Sequence, residues 1–182
     1  MADIFPTGYF CASRFLNTLS AEEAKSSATA VAWCGPFGIC AIATALTRYD
    51  TVFATWSHLA EAECLGAKTL LLTEEPGAAI EAATDGRGAD DVLELVGTLD
   101  AMRLCLDILR PFGSIGSVGA QTETVALEGP VLDGKNVTIA WGRCPVHGIF
   151  EKALQTLGKV RDKMSFLGEC SMKLEEAAEA YR

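Results

Sequence analysis

Short apolar, β-branched runs alternate along the chain with longer stretches in which apolar positions return at helical spacing. The runs are TAVAW (29–33), TVFAT (51–55), KTLLL (68–72), DVLELV (91–96), GSIGSV (113–118) and NVTIAW (136–141). Most are apolar at nearly every position, which suits strands buried on both faces of a parallel sheet. Helical patterns lie between the first five, at Ile39–Tyr49, Leu59–Leu65, Pro76–Thr84 and Leu99–Leu109. In the last of these the apolar positions recur at helical spacing from Ala101 to Leu109, and Pro111-Phe112-Gly113 reads as the stop. Two more helical patterns follow the sixth run, at Gly148–Val160 and Leu174–Tyr181. Regular alternation of strand and helix predicts an α/β fold: a Rossmann-type, doubly wound parallel six-stranded sheet, order 3-2-1-4-5-6, with helices on both faces. One domain is expected over residues 1–182, with a lead-in helix in 1–27, the sheet core in 28–145 and C-terminal helices in 146–182.

Composition narrows the functions this fold could serve. Hydrophobic residues make up 49% and charged residues 21%, ordinary for a globular protein. A net charge of −9 argues against nucleic acid or an anionic membrane as partner, since both need clustered Lys and Arg. Residues 28–47 carry no charge and are long enough to span a bilayer. The Cys34-Gly35-Pro36-Phe37-Gly38 turn inside them assigns the segment instead to a buried strand followed by a buried helix. Seven cysteines without a C-x-x-C pair, behind an opening MADIFPTGYF that lacks a secretory pattern, read as reduced thiols in the cytoplasm.

That turn carries the candidate chemistry. Gly35 and Gly38 occupy the second and third places of a G-x-G-x-x-G phosphate turn, and a helix starting near Pro36 aims its N-terminus at any anion there. Trp33 stands in the first place, where a tight bend favours glycine. It either fills the groove or turns into the core between strand and helix, and filling the groove is the expectation.

Several segments in fixed order resemble the medium-chain dehydrogenases, and among them the zinc-dependent alcohol and formaldehyde dehydrogenase-like members. They are DIFPTGYF, the strand with CGPFG, LGAK, DVLELVG, LRPFGSIGSVGA and KNVTIAWGRCPV. The resemblance covers nearly the whole chain but only the cofactor-binding half of such an enzyme. The zinc-binding catalytic domain that precedes it in the family is not matched. By that resemblance Asp3 stands where the D-I-x-P-T-G-Y motif supplies one zinc ligand. A single carboxylate cannot hold a catalytic zinc, so no metal site is expected and zinc-dependent alcohol oxidation by this chain alone is rejected. The resemblance also places Cys34, Gly35, Pro36, Phe37 and Gly38 at the cofactor phosphates. Val96, Gly97, Val118, Gly119, Gly142 and Arg143 then border the nicotinamide pocket, with Thr7 and Trp141 lining it. Trp56 replaces the acid that grips the adenosine ribose, so two tryptophans, Trp33 and Trp56, are expected to block the adenosine half of the groove. No tightly bound cofactor is expected, and NAD(P)(H) at most weakly.

Three functions fit these residues. One is a small organic ligand held in the residual crevice, with cofactor-independent isomerase, lyase or cyclase chemistry from Asp3, Glu94, Cys144 and His147, beside Arg143. The second is an oxidoreductase domain with weak cofactor affinity. The third is a non-catalytic remnant that binds a ligand or partner. An apolar edge strand, Asn136–Trp141, invites pairing with another chain, and the family pairs two such edges across a two-fold axis. A homodimer is therefore expected.

Overall fold

The computed structural model describes residues 2–16, 18–55, 58–70, 75–168 and 172–180. Its centre is β1 (Ala28–Ala32), buried at every position. β2 (Thr51–Thr55) and β4 (Ala89–Glu94) flank it, followed outwards by β3 (Lys68–Leu70) on one side and by β5 (Leu109–Ser117) and β6 (Thr138–Trp141) on the other. All neighbours run parallel and the order is β3-β2-β1-β4-β5-β6, as the pattern of apolar runs predicts. Alternation along the strands splits the core in two. Val31, Val52 and Leu93 face α1 (Ile4–Leu16), α3 (Pro36–Ala45), α4 (Leu59–Leu65) and α8 (Val146–Val160). Ala30, Phe53 and Val92 face α5 (Pro76–Ala83) and α6 (Leu99–Ile108).

Four local expectations change. The lead-in region holds two helices, α1 and α2 (Ala21–Ser26); Ser20 caps the second, accepting from the Glu23 amide while the Glu23 carboxylate accepts from the Ser20 amide. Pro111-Phe112-Gly113 is not a helix stop. α6 ends at Ile108 and the chain enters β5 at once, with residues 110–113 bulging between the Ala89–Leu109 and Asp91–Ser114 pairings and Phe112 at φ 59°. The sixth strand starts at Thr138, because Asn136 takes a left-handed conformation (φ 50°) to close a helix the sequence did not suggest, α7 (Gly129–Lys135). Lys135 Nζ fixes that helix by donating to the carbonyls of Leu106, Asp107 and Leu109 at the end of α6. Of the helix expected at Leu174–Tyr181, the described part is a 3₁₀ turn, Leu174–Glu176, running into α9 (Ala177–Ala180), and Tyr181 lies outside the described residues.

α1 is seated against α3 by Gly8 of the P-T-G-Y segment. A β-carbon there would stand 2.6 Å from Cys40 Cβ and 2.7 Å from the Ala41 amide. Close approach of the two helices brings the start of α1 to the strand ends, where the site lies. Among the described residues no helix is long and apolar enough to cross a membrane.

Candidate functional site

β1 ends at Ala32, and Trp33 turns the chain with φ 62°, the left-handed conformation that a first glycine would supply without strain. Its amide donates to Thr55 Oγ1 at 3.3 Å, and its side chain is half-buried against the α5–α6 core cluster. The ring therefore takes, at least in part, the core-facing placement rather than standing wholly in the groove. Gly35 caps α3 in extended backbone (φ −69°), and a β-carbon there would meet nothing within 4 Å. Gly38 is the opposite case: its β-carbon would stand 2.6 Å from the Trp33 carbonyl oxygen. Gly35 thus leaves the turn open to a ligand, while Gly38 permits close packing of strand and helix, the two roles the motif assigns them. Cys34 is buried, its thiol 3.8 Å from the Val31 carbonyl and pushed up to about 12 by burial.

At the far side of the strand ends lies a cavity of about 460 Å³. Phe37 borders it from the first turn of α3, Leu95 and Val96 from the turn after β4, and Val118, Gly119 and Ala120 from the turn after β5. Asp3, just before α1, and Thr7 within it close the cavity on one side, and Arg143, Cys144 and Val146 close it from beyond β6. The structure thus gathers Asp3, Thr7, Phe37, Val96, Val118, Gly119, Arg143 and Cys144, together with Leu95 and Ala120 of the same DVLELVG and GSVGA segments, and adds Val146. Val146 is a plain apolar residue at the start of α8, and its only sequence signal is its place at the end of KNVTIAWGRCPV.

Other nominated residues sit apart from the cavity wall. Trp141 lies on the open edge strand, 45% exposed. Gly142 (φ 150°) faces the Arg14 guanidinium, which donates to the Ala140 carbonyl at 2.6 Å. His147 is exposed at the start of α8, and Pro36 is exposed in the first turn of α3. Gly97 (φ 90°) is buried behind Val96. Glu94 is fully buried and spends its oxygens on Val96, Gly97, Ser117 and Gln121. Trp56 lies outside the described residues, as do Leu71 and Leu72 of the expected third strand.

Charge at the cavity is sparse. Burial pushes the Cys144 thiol up; the Thr7 hydroxyl, hydrogen-bonded to its sulfur, opposes this, and the nearby Asp3 charge adds to it. A raised thiol is protonated at neutral pH and is a poor nucleophile. Among the described residues no three His, Cys, Asp or Glu side chains come close enough together to hold a metal ion. Asp3 and Cys144 are two donors at one cavity, short of the three protein ligands of a catalytic zinc. The described residues do not fit a zinc ion by themselves.

A parallel doubly wound sheet, a glycine turn after β1 leading into α3, and a cavity beyond β4 and β5 define a nucleotide-binding domain of the Rossmann type. The family model for zinc-binding dehydrogenases matches residues 36–159, and the chain belongs to that family, within the medium-chain dehydrogenases. A zinc-type alcohol dehydrogenase B of Aspergillus flavus is 37% identical over 188 aligned residues, taking in 100% of this chain and 44% of that protein. A medium chain reductase/dehydrogenase, ucsI, of an Acremonium species is 46% identical over 127 residues, 66% of this chain and 44% of that protein. The solved alcohol dehydrogenase TADH of Thermus sp. ATN1 superposes with a TM-score of 0.77 at 27% identity, over 87% of this chain and 47% of that one. The chain spans less than half the length of the curated relatives it matches.

Proposed function

We propose that this chain binds the nicotinamide end of NAD(H) or NADP(H) in the 460 Å³ cavity, with an adenosine end that contributes little. The observation that carries this reading is the cavity itself, walled by the turns after β4 and β5 and by the first turn of α3. The open face of Gly35 at the α3 N-terminus leaves a place for a phosphate beside it. When bound, the dinucleotide would supply hydride chemistry; the chain's own part is to enclose the ring with Phe37, Leu95, Val96 and Val118 and keep water from it. Trp33 at the first-glycine place is the reason to expect a weak grip on the adenosine side. Quenching of tryptophan emission on titration with NADH and NADPH tests the reading, and no response at millimolar nucleotide overturns it.

Asp3, Thr7 and Cys144 meeting at the same cavity favour a second reading, cofactor-independent isomerase, lyase or cyclase chemistry on a small organic ligand. In that reading Asp3 moves the proton while Cys144 and Thr7 shape the pocket, and turnover survives removal of all nucleotide. The chain is further proposed to form a homodimer through β6, which among the described residues pairs with β5 alone in the sheet. Six of the cysteines are described and none forms a disulfide, which suits a reducing, cytoplasmic setting.

A further inference from the structure

Glu94 closes β4 and has no exposed surface. Its Oε1 accepts from the amides of Val96 at 2.7 Å and Gly97 at 2.6 Å. Its Oε2 accepts from the Ser117 hydroxyl at 2.6 Å and more loosely from Gln121 Nε2 at 3.4 Å. The first two donors belong to the turn after β4; the others belong to the end of β5 and the loop beyond it. One carboxylate therefore ties together the two turns that wall the cavity through Leu95, Val96, Val118, Gly119 and Ala120. Backbone packing between those turns is at its limit. A β-carbon on Gly97 would stand 2.5 Å from the Ala120 carbonyl carbon, and one on Gly119 would stand 2.7 Å from Glu94 Oε2. Glu94 does not line the cavity, and its acceptors are engaged within the chain, so it is not placed to meet a reacting atom.

We infer that Glu94 is a positioning residue, holding the turns after β4 and β5 at the separation that admits a nicotinamide ring; this rests on the nucleotide reading above. Leucine at this position keeps most of the volume and removes every acceptor, leaving the buried Gly97 amide and the partly buried Val96 amide without the acceptor they share. Glutamine keeps the tie: its carbonyl oxygen can take both amides, its nitrogen faces the Ser117 hydroxyl, which turns to accept, and only the loose Gln121 Nε2 contact loses its acceptor.

The test uses the 182-residue chain, NADH and nicotinamide mononucleotide in its reduced form as probes, and hydrogen exchange read residue by residue. Glu94→Leu is expected to weaken both probes by the same factor, about tenfold. It should also speed exchange at 96–97 and 117–121 while β1 and α3 keep their protection. Glu94→Gln should stay within about threefold on both probes with protection retained, since the hydrogen bonds to the Val96 and Gly97 amides and to Ser117 survive. Ser117→Ala removes a single hydroxyl and should reproduce the local exchange change at lower amplitude, which keeps the test open if Glu94→Leu does not fold. Wild-type exchange at both turns in these variants overturns the inference, as does loss of protection spread across the whole sheet. If the wild-type chain binds neither probe, the nucleotide reading fails, while exchange confined to the two turns still supports Glu94 as the tie between them.

Discussion

Trp33 holds a backbone conformation that costs a bulky residue about 1–2 kcal/mol, and it persists because its ring packs on the α5–α6 core and its amide bonds Thr55. Trp33→Gly removes the strain together with the ring packing, so a net loss of roughly 1–2 kcal/mol is expected in urea denaturation. NADH should nevertheless bind at least about fivefold tighter if the ring obstructs the adenosine side, a gain of roughly 1 kcal/mol. Unchanged affinity would place the obstruction elsewhere. Asp91 is a second residue whose surroundings set its behaviour. It is 7% exposed in β4 and accepts a hydrogen bond from the Tyr49 hydroxyl. Burial pushes its carboxyl up to about 6; the Tyr49 bond opposes this, the Asp90 charge adds to it, and Arg110 opposes it. The folded state then holds this proton more tightly than the unfolded chain does. The stability it confers is complete below about pH 4 and is lost as pH rises through about 6. Asp91→Asn removes the titration while keeping an acceptor for Tyr49. Relative to wild type the variant should gain roughly 3 kcal/mol between pH 4 and pH 7, read from denaturation midpoints across that range. A constant difference between the two proteins would contradict the assignment.

Among the elements, the glycine turn after β1 and α3 were the most legible in the sequence, because Gly35, Pro36 and Gly38 each answer a local backbone need. Their roles separate under substitution. Gly38→Ala drives a methyl to 2.6 Å from the Trp33 carbonyl and should cost about 1–3 kcal/mol. Gly35→Ala meets nothing and sits at an ordinary φ, so thermal stability should hold within about 0.5 kcal/mol while nucleotide affinity falls. Equal destabilisation by both would deny the division of labour. Other elements were not legible for identifiable reasons. Pro111-Phe112-Gly113 satisfies the local rule for a helix stop, yet its conformation is set by β4, whose pairing resumes at Ser114 after the bulge. The α7 segment contains two glycines and little periodicity; it is helical where Lys135 reaches the carbonyls closing α6. The seating of α1 depends on Gly8 meeting Cys40, a pairing no spacing within α1 reveals.

For the whole molecule, strand order could be read from the alternation of runs, because a parallel sheet buried on both faces leaves few other arrangements. The cavity could be read only through the resemblance, since Asp3, Thr7, Val118 and Cys144 are far apart in the chain and are joined by the sheet and by α1. Among the described residues β6 ends the sheet on one side, and an apolar groove between α1 and α8 is lined by Phe5, Pro6, Phe150 and Leu154, the last 55% exposed. If β6 pairs with its copy, Trp141→Lys sets like charges near the two-fold axis, and sedimentation should show a wild-type dimer and a monomeric, folded variant. A wild-type monomer at micromolar concentration would remove the edge-pairing proposal. The central claim is that the nicotinamide end supplies most of the affinity. Calorimetric titration of the wild-type chain with NADH and, separately, with reduced nicotinamide mononucleotide tests it most directly. The expected dissociation constants agree within about threefold, less than about 1 kcal/mol apart. NADH binding a hundredfold or more tighter, about 2.7 kcal/mol, or no heat from either nucleotide, would contradict it.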